Sequence, residues 1–250
     1  MLSDLLWGFE MTRLLLMTMF FVAGCGTKNL FDCDGGYAKS KCTQRTKDEN
    51  ARIALDAGDY DTAVTLLGEM VASDPENYQR YPLLSAAYAA RSGFDILNIV
   101  SADFGDSSSL LQTMSKFLPT PETRGSLYDD SLADMSSGVS TLLAIPEGQR
   151  QSTSSDKYAT SAVIQLTLYQ AAYSVMLLNK FTYSTSGYDP SLLSTMTASD
   201  AAAILSALAG AAAASGSGAG SAATTAISAI SSQAGATDQE RLAAWSQAAR

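Results

Sequence analysis

The sequence predicts an all-α protein in which antiparallel helix pairs pack with additional helices into one α-helical domain. Three observations carry the prediction. Across residues 52–100, apolar side chains recur at intervals of three and four, and the pattern breaks at AGDY, SDPEN and RSGF, as consecutive helices joined by tight turns require. Two later stretches keep the same period: Tyr128, Leu132, Met135, Val139 and Leu142, then Ala162, Leu166, Tyr169, Tyr173 and Met176. No segment shows the sustained apolar-polar alternation of a half-buried strand.

In chain order the first element is an export signal, residues 1–24. Thr12 and Arg13 precede an apolar run over 14–22, and small Ala23 and Gly24 follow. At roughly nine residues of about 1.5 Å each, the run falls far short of the ~20 residues that span a bilayer. The opening MLSDLLWGFE fits no signal region, and Met11 begins a cleaner one. Val22-Ala23-Gly24-Cys25 resembles the bacterial lipobox. That resemblance implies a diacylglycerol on the Cys25 sulfur, cleavage before Cys25 and acylation of the new amino group. These covalent acyl chains are the only prosthetic group expected, and more than one chain makes the membrane attachment stable. Gly26, where Asp would hold a lipoprotein back, implies by analogy with sorting in diderm bacteria a lipid-anchored position on the outer membrane, facing the periplasm.

Residues 25–44 are polar and lack apolar periodicity, as a lipidated tether requires. Cys33 and Cys42 flank DGGYAKSK. An exported chain meets an oxidising compartment, so a small disulfide loop is expected, contributing about 2 to 3 kcal/mol in the chain-entropy model. The alternative, a two-thiolate metal site, lacks further ligands, because the chain has no histidine.

Residues 45–197 carry the main helical signal. Gly58-Asp59-Tyr60 makes a turn between two helices, Ala63 is the small residue where they cross, and Pro75 ends the second. Ala51 and Ala54 take first-helix positions of this unit; Tyr81, Leu84, Ser85 and Tyr88 take them in the next, and Gly93-Phe94 repeats the turn one residue late. This spacing resembles the tetratricopeptide repeat over roughly residues 44–105, about one and a half repeats. In the second unit Leu97 replaces the small residue and no proline closes it. The resemblance implies a helical repeat surface, which must be covered by other helices because so few repeats cannot bury their own face.

Three further segments supply the cover. A short amphipathic stretch over 107–118 stops at PTPE. A helix through Tyr128–Leu142 opens with a capping box of Ser126 and Asp129. The longest helix is expected within 155–181.

From residue 198 onward the composition changes. Residues 198–236 contain 17 Ala and almost no charge. Two readings stand: short helices over 199–208 and around Ile227 and Ile230, flanking a Gly/Ser loop at 215–221, or a soft linker throughout. The first is preferred, because Thr197 with Asp200 resembles a capping box and Ile204, Leu205 and Leu208 form a stripe. Thr237 with Glu240 opens a last helix carrying Leu242 and Trp245, a packing anchor.

No enzyme is expected. Without histidine there is no Ser-His-Asp or Cys-His arrangement and no histidine metal motif. Asp129, Asp130 and Asp134 could form a metal or acid-base group, but a solvated helix start that favours negative charge explains them more simply. SGSGAGS lacks the lysine and the strand of a phosphate loop. A net charge of −9 argues against nucleic acid and against a polybasic grip on lipid. Tyr60, Tyr81 and Tyr88 are expected in the core; Tyr169 and Tyr173, with Gln165 and Gln170 nearby, are the candidate ligand groove.

The leading functional expectation is a scaffold or assembly factor that binds a protein partner in the cell envelope, as the tetratricopeptide resemblance implies. The alternative is a small-molecule or lipid-binding accessory of a transport system. It rests on a looser similarity to the tetratricopeptide T-component lipoproteins of tripartite periplasmic transporters, whose repeats and extra helices surround a cavity.

Overall fold

The computed structural model describes residues 46–94, 111, 114, 115, 117–150, 157–213 and 218–248. The signal, Cys25, Cys33, Cys42 and Leu97 lie outside them. Ten α-helices are found among the described residues: α1 (Lys47–Asp56), α2 (Tyr60–Ser73), α3 (Tyr81–Arg91), α4 (Pro121–Arg124), α5 (Tyr128–Leu143), α6 (Glu147–Arg150), α7 (Lys157–Lys180), α8 (Ala198–Ala213), α9 (Gly218–Ser231) and α10 (Asp238–Ala248). Among the described residues the fold is all-α but for one short hairpin.

The first two helices form a tight pair because Gly58 reverses the chain. At φ +75° it closes α1 with the Gly58 N–H donating to Leu55 O (3.1 Å) and the Asp59 N–H to Ala54 O (2.8 Å), the Schellman arrangement that glycine favours. Asp59 then caps α2 by accepting from the Thr62 N–H at 3.2 Å. Ala51, Ala54, Ala63, Val64 and Leu67 bury the seam, joined by Leu84 and Ala87 of α3. Pro75 lies just past the end of α2, and its carbonyl accepts the Tyr81 hydroxyl at 2.8 Å. The α2 C-terminus is also held from outside: Arg80 Nη1 donates to Met70 O at 3.1 Å.

Helix α3 crosses α5 closely. Ser85 Oγ donates to Gly138 O at 2.7 Å, and a Cβ on Gly138 would lie 3.2 Å from the Ser85 carbonyl oxygen. Along α5, Tyr128, Leu132, Met135, Val139 and Leu142 are all buried, one face at the predicted period. Its start differs from expectation. Ser126 and Asp129 form no capping box: α5 begins at Tyr128 after a 3-10 turn (Gly125–Leu127), with no side-chain cap. The box sits earlier, where Thr120 and Thr123 cap each other's backbone at the head of α4. PTPE therefore starts a helical turn as well as stopping the preceding segment, because proline is tolerated at the first helical position. Of that segment, Leu111, Met114 and Leu118 are described and buried.

Helix α7 is the axis of the core. It packs against α5, α3, α8 and α9. By length and composition it is apolar enough to cross a membrane, yet 67% of its most apolar stretch is buried inside the protein. Tyr128 fastens α5 to it through a hydroxyl donated to Met176 O at 2.5 Å. After α7 the chain makes a two-strand antiparallel hairpin, β1 (Tyr183–Ser184) and β2 (Gly187–Tyr188), which the sequence reading did not anticipate. Such short strands leave no alternation to detect.

The Ala-rich segment is helical over Ala198–Ala213 and Gly218–Ser231. Thr197 and Asp200 form the expected reciprocal cap, with the Asp200 N–H donating to Thr197 Oγ1 (3.2 Å) and the Thr197 N–H to Asp200 Oδ2 (2.9 Å). Helix α9 begins at Gly218, so residues 218–221 are not the loop the sequence suggested. Helices α8, α9 and α10 share the core: Ile204, Leu208, Ala211, Ala222, Ala226, Ile230, Leu242 and Trp245 belong to the same buried cluster as α5 and α7. Small side chains permit the closeness. A Cβ on Gly210 of α8 would lie 2.3 Å from Gln170 Nε2 of α7.

Candidate ligand-binding cleft

A cleft of about 750 Å³ opens at the turn end of the α1–α2 pair. Leu55 closes α1, and Tyr60 opens α2 on the other side of the Gly58 turn. Helix α3 contributes Ala86, Ala89 and Ala90, residues three and four apart that share a face. Their methyl side chains leave the space a larger residue would fill. The wall continues through Arg91, Gly93 and Phe94, then Arg124 from α4 and Tyr169 from α7. The lining is apolar and aromatic with two cations, in the size range of small-molecule sites, about 300 to 1,000 Å³.

The end of α3 shapes this wall. Gly93, at φ +92°, donates its N–H to Ala90 O (3.0 Å), and Phe94 donates to Ala89 O (3.1 Å), repeating the Schellman closure at Gly58. Phe94, buried beyond the turn, meets Tyr169 edge to face, centroids 5.4 Å apart at 86°. Burial pushes the Tyr169 hydroxyl pKa well up, so it stays protonated. The absence of a side chain at 93 also seats Arg124: a Cβ there would lie 2.7 Å from its Nη2, which donates to Arg91 O at 3.2 Å.

The two arginines differ in what they hold. Arg91 grips Asp134 of α5 with two hydrogen bonds, Nε to Oδ2 at 2.9 Å and Nη2 to Oδ1 at 2.6 Å, and reaches Asp61 of α2 at 3.0 Å. It also lies 5.3 Å over the Tyr88 ring. Its pKa is raised, first by the Asp134 hydrogen bonds. Arg91 is thus a clamp joining α2, α3 and α5, and Asp134 is its partner, not a solvated carboxylate at a helix start. Asp129 likewise pairs with Lys180, at 2.9 Å. Arg124 has no carboxylate partner among the described residues.

The remaining candidate residues fall into two groups. Gly58, Ala63, Pro75, Tyr81 and Tyr88 lie in the turn, the seam and the packing around α3. Tyr60 is half-buried at the cleft. Tyr169 reaches the cleft from the core, only 1% exposed, whereas Tyr173 packs half-buried against the main cluster and does not line it. Gln170 is wedged against Gly210, away from the cleft. Sequence reasoning missed Arg91, Phe94 and Arg124 as a group, because residues of two separate helices and a turn converge only in the folded chain. Among the described residues no three His, Cys, Asp or Glu side chains group as metal ligands.

No family model, curated protein or solved structure matches the chain.

Proposed function

We propose that the protein is a lipid-anchored binding module of the cell envelope whose cleft takes a small molecule, in the manner of a transport accessory. Cys25, acylated, holds it on the outer membrane facing the periplasm, and a Cys33–Cys42 disulfide pins the tether. The single observation that carries the reading is the roughly 750 Å³ cleft, with its small-residue floor, aromatic wall and a cation that has no carboxylate partner among the described residues.

A second reading, the tetratricopeptide-type scaffold, is favoured by α1, in which Ala51 and Ala54 are buried while Ile53 is a large apolar side chain exposed on the outer face, where a protein partner could cover it. Native mass spectrometry separates the two. The lipidated protein, extracted from its own host in mild detergent, is expected to carry a non-covalent small molecule. A protein partner at fixed stoichiometry on a ligand-free chain would replace the first reading by the second.

A further inference from the structure

We infer that the cleft selects an organic anion, a carboxylate on a short apolar body, and that Arg124 is the residue that reads the charge. The inference rests on the small-molecule reading of the cleft and adds its chemical class.

The charge pattern at the wall carries it. The chain as a whole has a net charge of −9, yet among the described residues the two ionised groups lining the cleft are both cations. Arg91 is neutralised by Asp134 and Asp61. Among the described residues Arg124 is not: its donor contact there is the Arg91 carbonyl oxygen, which leaves most of the five guanidinium N–H groups open to a ligand. The acid nearest in sequence, Glu122, faces elsewhere, its Oε2 lying 3.7 Å from where a Cβ on Gly187 would stand. A planar cation held beside an apolar wall matches a carboxylate, which accepts two of its N–H groups in parallel. The ligand's body then lies against Ala86, Ala90, Leu55 and Phe94, which offer no polar side-chain atoms. An uncharged ligand of the same shape would leave the cation with water alone.

The test compares octanoate with octan-1-ol by calorimetry on the full mature chain at neutral pH. Octanoate is expected to bind one per chain and tighter than octanol by about tenfold or more, the scale of a charge-assisted hydrogen bond pair. Arg124→Gln is expected to erase that difference while leaving octanol unchanged, and Ala90→Leu, which fills the floor, to weaken both. Raising salt from about 0.05 to about 0.5 M should weaken octanoate alone; this measurement on the unaltered chain stands even if Arg124→Gln does not fold. Equal binding of acid and alcohol, or octanoate affinity indifferent to Arg124→Gln, overturns the anion class and leaves the small-molecule reading intact. Binding of neither, with a protein partner on the host-extracted chain, overturns both.

Discussion

Removing the Arg91 guanidinium should loosen three helices at once, and the two carboxylates it holds should share the loss unequally. Arg91→Met keeps the aliphatic stem and deletes the charge. Asp134, whose side chain is 16% exposed, then loses both of its hydrogen bonds, at 2.9 and 2.6 Å. Asp61 is 87% exposed and water replaces its partner readily. Exposed ion pairs contribute about 0.2 to 1 kcal/mol, and hydrogen bonds to charged groups about 1.5 to 3. With the Arg91 side chain 32% exposed, solvent screening discounts the bidentate pair to about 2 kcal/mol. On a unit of this size that lowers Tm by roughly 4 to 8 °C. The assay is urea unfolding of Arg91→Met, Asp134→Asn, Asp61→Asn and the two corresponding doubles. Coupling of about 1 to 2 kcal/mol is expected for Arg91 with Asp134, and about 0.5 or less for Arg91 with Asp61. Equal couplings, or a larger one to Asp61, would refute the claim that burial and bidentate geometry make the clamp.

Tyr169→Ala should cost about 3 to 5 kcal/mol in thermal or denaturant unfolding, because the ring is a core element as well as a cleft wall, while Tyr173→Ala, half-buried, should cost less. Gly210→Ala adds helix propensity of up to about 1 kcal/mol, but its methyl meets Gln170; it should stabilise only when combined with Gln170→Ala, as a double-mutant cycle would read. Asp200 has its pKa lowered, first by the Thr197 side-chain hydrogen bond. Its contribution is therefore present above the ordinary carboxylate value of 3.8 and lost as pH falls through the depressed folded value, and Thr197→Ala, which deletes the hydroxyl but keeps the backbone N–H bond, should reduce that acid dependence in the unfolding curves.

How much was legible follows from the range of each signal. Helix identity and buried faces came from periodicity: the stripe on α5 and the length of α7 rest on spacing alone. Turns were legible because Gly58 and Gly93 adopt positive φ that other residues avoid, and caps because Thr197 and Thr237 act on backbone groups within three residues. The failures have the same physics. A capping box assigned to Ser126 moved to Thr120, since both segments offer a hydroxyl near a helix start and only the packed chain selects one. The Ala-rich tail looked divisible from the rest because alanine carries little hydrophobic signal per residue, yet many small faces together bury a continuous seam against α7.

The sequence by itself determined an all-α chain, its repeat-like turns and the order of its helices, because these depend on contacts between near neighbours. Packing alone decided that Asp134 belongs to Arg91, that Tyr169 belongs to the cleft and Tyr173 does not, and that Arg124 faces that cleft with no carboxylate partner among the described residues. Those pairings join residues far apart in the chain, and nothing local distinguishes one acid or one tyrosine from the next until the helices pack.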